Sequence, residues 1–122
     1  MAEALANKYG ADVLHASSAG LAPAISTTPH TRKVLAEKNV ELGEHRPKSL
    51  GEVELQKVDL LINMSGQQLP SSRTLQIENW AVADPYGLDE NAYRRVRDDI
   101  EMRVMRLVLK LRSAAVAAST TR

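Results

Sequence analysis

Residues 58–64 are Val58-Asp59-Leu60-Leu61-Ile62-Asn63-Met64, and Ser65-Gly66 follows them. The apolar run over 60–62 does not alternate with polar residues, which is typical of a strand buried on both faces of a parallel sheet. On either side of this stretch, helical and strand patterns alternate along the chain. The sequence therefore predicts an α/β fold in which helices flank a small parallel sheet.

The further elements are placed by capping and chain-breaking residues. Thr28 and Pro29 are suited to begin a helix as N-cap and first residue, and Ser49 with Glu52 forms a capping box. In chain order, the predicted elements around 58–64 are a helix over 1–9 ended by Gly10 at C′, a strand over 12–18, a helix over 29–38 followed by Asn39 at C′, a short helix over 50–56, a short strand over 75–77, and a helix over 90–115 capped by Asp89.

The last helix is predicted to have one core face and one solvated face. Its apolar residues recur at spacings of three and four, which places them in a single stripe. The stripe consists of Tyr93, Val96, Ile100, Val104, Leu107 and Leu111. The charged residues predicted to cover the wet side are Arg94, Arg95, Arg97, Asp98, Asp99 and Glu101.

Length and composition indicate one ordinary globular domain. A chain of 122 residues can bury one modest core, and 43% hydrophobic with 25% charged residues is usual for such a domain. A net charge of +1 favours neither nucleic acid nor a membrane surface as a partner. No apolar run approaches the roughly 20 residues that span a bilayer, and no secretory signal is visible at the start. We therefore expect a cytoplasmic protein.

The chain contains no cysteine and only three histidines. Without cysteine there is no disulfide, no thiolate metal ligand and no cysteine nucleophile within these residues. His15, His30 and His45 are too far apart in sequence to form a close ligand pair. The sequence accordingly predicts no metal site and no cofactor.

An acidic residue fixed against proline stands out between the last two elements. Pro85 restricts Asp84 to extended backbone angles, and Gly87 lets the chain turn before the next helix. Two interpretations stay open from these residues alone: a carboxylate presented at the rim of a site, or an Asp-Pro turn that joins strand to helix. Ligands of parallel sheets bind beyond the carboxyl ends of the strands. The loops at 17–20, 64–66 and 83–86 should gather there, and Asp84 is their only carboxylate.

Segments along nearly the whole chain resemble the low-molecular-weight protein tyrosine phosphatases, in the same order and at the same spacing. The thioredoxin-coupled arsenate reductases share this fold and much of the pattern. The matching segments are Met1-Ala2-Glu3-Ala4-Leu5, Ser18-Ala19-Gly20, His45-Arg46, residues 59–64, Asp84-Pro85-Tyr86-Gly87 and the helix at 93–100.

The resemblance implies a single phosphatase-like domain over 1–122 that is incomplete at its N-terminus. The family's first, central strand and its Cys-x5-Arg-Ser phosphate loop precede a helix such as the one at Met1, and neither is present here. The missing strand would lie between those predicted at 12–18 and 58–64. Its absence would leave two strand edges facing a gap, and we expect these edges to close on each other, to pair with a second chain as a homodimer, or to aggregate.

The resemblance also implies roles for three residues. Asp84 corresponds to the general acid that protonates the leaving phenolate and later activates water on the phosphocysteine. Tyr86 corresponds to the aromatic wall that stacks on an aryl phosphate, with a partly buried loop tyrosine as the alternative. Ser18 corresponds to a residue that supports the phosphate loop from behind, with an ordinary turn serine as the alternative. Without thiolate or phosphate nearby, we expect Asp84 to be an ordinary ionised carboxylate.

Three functions are therefore considered. The first is a phosphatase-family chain with a truncated start, inactive as it stands, whose complete form hydrolyses a phosphorylated protein or a small aryl phosphate. The second is a non-catalytic protein that uses the remaining pocket edge or the open sheet for binding or dimerisation. The third, arsenate reduction, requires further cysteines after the strand at 58–64, and residues 64–68 contain none.

Overall fold

A computed structural model describes residues 1–19, 29–42, 57–69 and 75–120, with the side chains of 117–120 excepted. Its elements are α1 (Ala2–Tyr9), α2 (Pro29–Ala36), β1 (Leu60–Asn63), β2 (Gln76–Asn79) and α3 (Glu90–Thr120). β1 and β2 pair in parallel, with Leu60 opposite Gln76 and Asn63 opposite Asn79. The predicted α/β class with a parallel sheet and flanking helices is confirmed.

The strand predicted over 12–18 is wrong. Residues 11–13 form a turn, and 14–19 belong to neither helix nor strand. The side chain of Asn7 takes the place of a neighbouring strand: its Nδ2 donates to the Ala16 carbonyl over 2.9 Å, and the Ala16 amide donates to its Oδ1 over 2.8 Å. Val13 and Leu14 still pack against the core. Of the two strand edges predicted to face a gap, only that of β1 belongs to a strand in the described residues.

The core lies where α1 and α2 pack on α3. Leu5 of α1, Leu35 of α2, and Val104 and Val108 of α3 are almost completely buried. The predicted stripe of α3 is correct at Tyr93, Val96, Ile100 and Val104, which are all buried. After Val104 the stripe continues by four to Val108, so that Leu107 and Leu111 are only partly buried.

One member of the predicted solvated face of α3 is buried instead. Only 7% of Arg97 is exposed. Its Nη1 donates to the Val34 carbonyl over 2.9 Å and to Glu37 Oε1 over 2.7 Å, and its Nε donates to Asp98. These acceptors compensate the cost of removing the guanidinium from water. The charge run therefore does not lie wholly on the wet side.

Polar contacts join the first helix to the last. Tyr9 Oη donates to Glu101 over 2.9 Å, while Arg112 donates through Nε to Asp12 over 2.9 Å and through Nη2 to the Tyr9 carbonyl over 2.8 Å. Burial and the bond to Glu101 both raise the pKa of Tyr9. Lys8 donates to the carbonyls of Lys38 and Asn39, which connects α1 to the turn after α2.

The helix ends agree with most of the capping predictions. Asp89 Oδ1 accepts the Ala92 amide over 2.9 Å at the start of α3, and Asn39 follows α2 with a left-handed φ of 60°. Gly10 does end α1, but its φ of −122° is not the left-handed value expected at C′. A side chain at Gly10 would force its neighbours to shift, since a Cβ would lie 2.7 Å from Val108 Cγ2.

Several element boundaries shift from those predicted. The strands occupy 60–63 and 76–79 rather than 58–64 and 75–77, and α3 continues to Thr120. The predicted cap Thr28, the helix at 50–56 and the His45-Arg46 segment lie outside the described residues. None of the described helices combines the length and the apolar character needed to cross a membrane.

Candidate active-site loop

Two asparagines end the paired strands side by side. Asn63 closes β1 and is 7% exposed, and its register partner Asn79 closes β2. Asn63 Nδ2 donates to Asn79 Oδ1 over 2.8 Å and to the Gln67 carbonyl over 2.7 Å. The carboxyl edge of the sheet, where ligands of parallel sheets bind, is therefore formed by a hydrogen-bonded pair of asparagines, called here the floor of the candidate site.

The turn after β1 is organised by the other end of the same amide. Asn63 Oδ1 accepts the Ser65 hydroxyl over 2.6 Å and the Ser65 amide over 3.1 Å. The Gln67 amide in turn donates to Ser65 Oγ over 3.1 Å. The Nδ2 and Oδ1 atoms of Asn63 therefore each form two hydrogen bonds, and these bonds hold the turn at 65–67. Gly66 adopts a φ of +75° within this turn.

The chain after β2 is anchored before it reaches Asp84. The Trp80 amide donates to the Asn63 carbonyl over 2.9 Å, and the buried indole donates through Nε1 to Glu78 over 3.0 Å. Arg103 of α3 donates to the Ala81 carbonyl over 3.2 Å. These contacts bring the beginning of the loop onto the sheet and the last helix, so that the loop leaves from a defined point.

Asp84 is exposed and lies in a closed turn. Its Oδ1 accepts the Tyr86 amide over 3.0 Å, the geometry of an aspartate turn. The Leu88 amide donates to the Pro85 carbonyl over 2.9 Å, and Gly87 has a φ of +80° that favours glycine. Asp84 therefore forms the predicted Asp-Pro turn and at the same time presents a carboxylate to solvent.

The structure brings Asp84 and Tyr86 together through that turn. Tyr86 is 73% exposed, so the predicted alternative of a partly buried loop tyrosine is wrong, and its ring is available to a ligand. Ser18 lies on the segment after α1, where its hydroxyl donates to Glu3 Oε1 over 3.3 Å. That contact attaches Ser18 to the first turn of α1.

The arrangement is suited to proton transfer at an exposed loop. A carboxylate on a short turn beside an exposed aromatic ring can serve a substrate that has an apolar or aryl group next to a reacting oxygen. Among the described residues, no group of three or more histidine, cysteine or acidic side chains could hold a metal ion.

Sequence reasoning missed the role of Asn63 and Asn79. Asn63 was treated only as part of the strand at 58–64, and Asn79 lies beyond the strand predicted at 75–77. The signal available was an asparagine at the carboxyl end of each paired strand, which becomes informative only when the register that places the two opposite each other is known.

A family model and a curated relative both match most of this chain. Residues 1–118 match the family described as low molecular weight phosphotyrosine protein phosphatase. An arsenate reductase of Halalkalibacterium halodurans is 30% identical over 116 residues, covering 85% of this chain and 81% of that protein.

Solved structures show the same relationship. The crystal structure of an arsenate reductase from Archaeoglobus fulgidus superimposes with a TM-score of 0.76 at 31% identity, over 88% of this chain and 86% of that one. A low molecular weight protein tyrosine phosphatase from T. tengcongensis gives a TM-score of 0.74 at 22% identity, over 89% and 88% of the two chains, which is a likeness of fold alone.

Proposed function

Since this chain belongs to the low molecular weight phosphotyrosine protein phosphatase family, we propose that it forms the body of a domain that hydrolyses aryl phosphate monoesters, with Asp84 as its general acid. The family membership confirms the resemblance found in the sequence. The substrate class goes beyond it: a phosphorylated protein or a small aryl phosphate, bound with its phosphate near the carboxyl edge of the sheet and its ring against Tyr86.

The observation that carries the proposal is the Asp84 turn. The Tyr86 amide donates to Asp84 Oδ1, which fixes one oxygen of this exposed carboxylate in the turn, and the exposed Tyr86 ring lies two residues away. An inorganic oxyanion has no apolar group for such a ring to contact, whereas an aryl phosphate has one. This favours an organic phosphate ester.

The chemistry is divided between these residues and a thiolate. When the bond between phosphorus and the ester oxygen breaks, the protonated carboxyl of Asp84 donates its proton to the leaving phenolate. Asp84 then accepts a proton from water as that water displaces the thiolate from phosphorus. The 122 residues contain no cysteine to supply the thiolate. By themselves they should therefore catalyse neither step.

The first test uses the chain as it stands with para-nitrophenyl phosphate. We expect no turnover above background, because the nucleophile is absent. Vanadate-sensitive turnover would contradict this. Translation of the DNA upstream of Met1 gives an independent check: a reading frame that encodes a strand and Cys-x5-Arg-Ser supports the phosphatase, whereas a stop codon close by supports a non-catalytic binding protein.

The second test adds a strand and a Cys-x5-Arg-Ser loop before Met1. The extended protein should hydrolyse para-nitrophenyl phosphate, and Asp84→Asn should lower kcat by about 10²- to 10⁴-fold, the usual contribution of a general acid. Asp59→Asn changes an exposed acid that precedes β1 and is the matched control. Equal rates for the two variants would remove Asp84 from the mechanism.

Arsenate reduction is the second candidate, because relatives at 30% and 31% identity are named arsenate reductases. Reduction of arsenate to arsenite requires two electrons, which thiols supply, and none is present in residues 64–68 or elsewhere in the chain. The extended protein should therefore be assayed with arsenate and thioredoxin as well. Arsenate reduction without phosphate ester hydrolysis would favour this function over the first.

A further inference from the structure

One face of α3 is apolar and exposed although the helix is otherwise packed on its opposite side. Met102, Leu109 and Val116 are 45%, 57% and 64% exposed, and they lie seven residues apart. Because seven residues make about two helical turns, these side chains line up on one face. Leu88, which precedes α3 by two residues, is another exposed apolar side chain at 58%. Together these side chains give one face of α3 an apolar component that a partner can cover.

The charges on this face are arranged symmetrically about Met102. Asp98 lies four residues before it and Arg106 four residues after it, and both are exposed. Asp98 accepts Arg97 through Oδ1, which leaves Oδ2 available. Within the described part of the chain, no hydrogen bond or ion pair is formed by Arg106. The face therefore presents one negative and one positive group at equal distances from its middle residue.

The other exposed residues of this face are spaced in the same way, with one apolar pair and one pair of leucine with arginine. Leu88 and Val116 are each fourteen residues from Met102, and Leu109 and the exposed Arg95 are each seven residues from it. We propose that two copies of this chain associate through antiparallel α3 helices, related by a two-fold axis at Met102. Each Asp98 then lies opposite Arg106 of the other copy, and each Val116 extends toward the turn that carries Leu88 before α3 of the other copy.

This arrangement makes the interface self-complementary, as two-fold symmetry requires. The aliphatic part of Arg95 covers Leu109 of the second copy. A single pair of helices buries less than the roughly 1,200–2,000 Å² of a standard stable interface, so association depends on concentration. Added salt weakens it, because the ion pairs stay near solvent. This surface is distinct from the strand edges of the sheet.

The absence of cysteine allows a direct test of the axis. Met102→Cys introduces a single thiol at the two-fold. Treatment with diamide, which accepts the two electrons and two protons released by two thiols, should join most of the dimer by a disulfide that dithiothreitol reverses. Val116→Cys is the matched control on the same helix and is more exposed. In the proposed dimer the two thiols at position 116 would be about 42 Å apart along the helix axis, so this variant should not cross-link.

Sedimentation of charge variants tests the pairing across the axis. Met102→Glu and Arg106→Glu should each raise the dissociation constant at least tenfold, and Asp98→Arg combined with Arg106→Glu should restore it toward the original value. Circular dichroism checks that the variants remain folded. A chain that stays monomeric at all concentrations would overturn the proposal. Equal cross-linking at positions 102 and 116 would also overturn it. A dimer whose dissociation constant is unchanged by Met102→Glu would overturn it as well and would indicate association through the sheet edge.

Discussion

Arg97 of α3 and Glu37 after α2 are joined by a hydrogen bond of 2.7 Å, and only 8% of the Arg97 side chain is exposed. Glu37 also accepts Arg94 through both carboxylate oxygens. Since Arg97 donates to the Val34 carbonyl as well, one guanidinium connects the last helix to both the body and the end of α2. This pair positions α2 more specifically than the apolar contacts of Leu35 alone.

Replacement of Arg97 by Ala should destabilise the fold by about 2 kcal/mol, because charge-assisted bonds are lost and the Val34 carbonyl remains buried. The measurement is the free energy of unfolding in urea. Lys110→Ala, which changes an exposed cation of the same helix, should change it by less than about 0.5 kcal/mol. Similar losses for both variants would show that the buried contacts of Arg97 do not contribute to stability.

Glu37 should make stability fall in acid. Hydrogen bonds from Arg94, and then from Arg97, lower its pKa from 4.5 to about 2. A carboxylate whose pKa is lower in the folded state contributes stability above the unfolded value, and that contribution is lost as the pH falls from about 4.5 to about 2. The difference in unfolding free energy between the wild type and Glu37→Gln should therefore shrink over this interval. A difference independent of pH would contradict the assignment, and Glu41→Gln, at an exposed site, is the control.

Gly10→Ala should be destabilising for reasons of space and not of backbone angle. The new Cβ would lie 2.7 Å from Val108 Cγ2 and 3.1 Å from Leu14 Cδ2, and such overpacking costs about 1–3 kcal/mol. In a Val108→Ala background the cost should be smaller by at least about 0.5 kcal/mol, since the nearest atom has been removed. Additive losses in urea unfolding would show that the clash is relieved by other movements.

Asn63→Asp should weaken the floor of the candidate site. The substitution keeps the shape of the side chain but replaces the Asn63 Nδ2 donor by a carboxylate oxygen. That oxygen would face the Gln67 carbonyl and Asn79 Oδ1, which are both acceptors. We expect a loss of about 2 kcal/mol in unfolding free energy. Asn91→Asp, at an exposed position in the first turn of α3, should be neutral or slightly stabilising. An unchanged unfolding free energy for Asn63→Asp would show that the two hydrogen bonds donated by Asn63 do not contribute to stability.

Features of the fold could be predicted from the sequence wherever one residue or one local pattern determines them. The apolar run at 60–62 predicted β1, Asp89 predicted the start of α3, and the order of the segments predicted the family. The strand at 12–18 could not be judged in the same way. A strand needs a partner, and the partner of Ala16 is the side chain of Asn7, a contact that no periodicity in the segment reveals.

Burial of charge was equally invisible in the sequence. Arg97 lies in a run of charged residues and resembles its neighbours in every local respect, yet the crossing of α2 over α3 places the Val34 carbonyl and Glu37 within its reach. At the candidate site, the turn that joins Asp84 and Tyr86 could be predicted because it is local. The pairing of Asn63 with Asn79 depends on the register of two strands and was not found.

Because α1 bonds to the last helix, it cannot complete its contacts until nearly the whole chain has been synthesised. Asp12 and Arg112 are separated by 100 residues, and Tyr9 and Glu101 by 92. At a synthesis rate of about 5–20 residues per second, α1 would wait roughly 5–20 s for the helix that covers Leu5. During synthesis the first segment of this chain therefore leaves the ribosome without its packing partner, and a pause near residue 100 would prolong the exposure of its apolar face to chaperones and proteases.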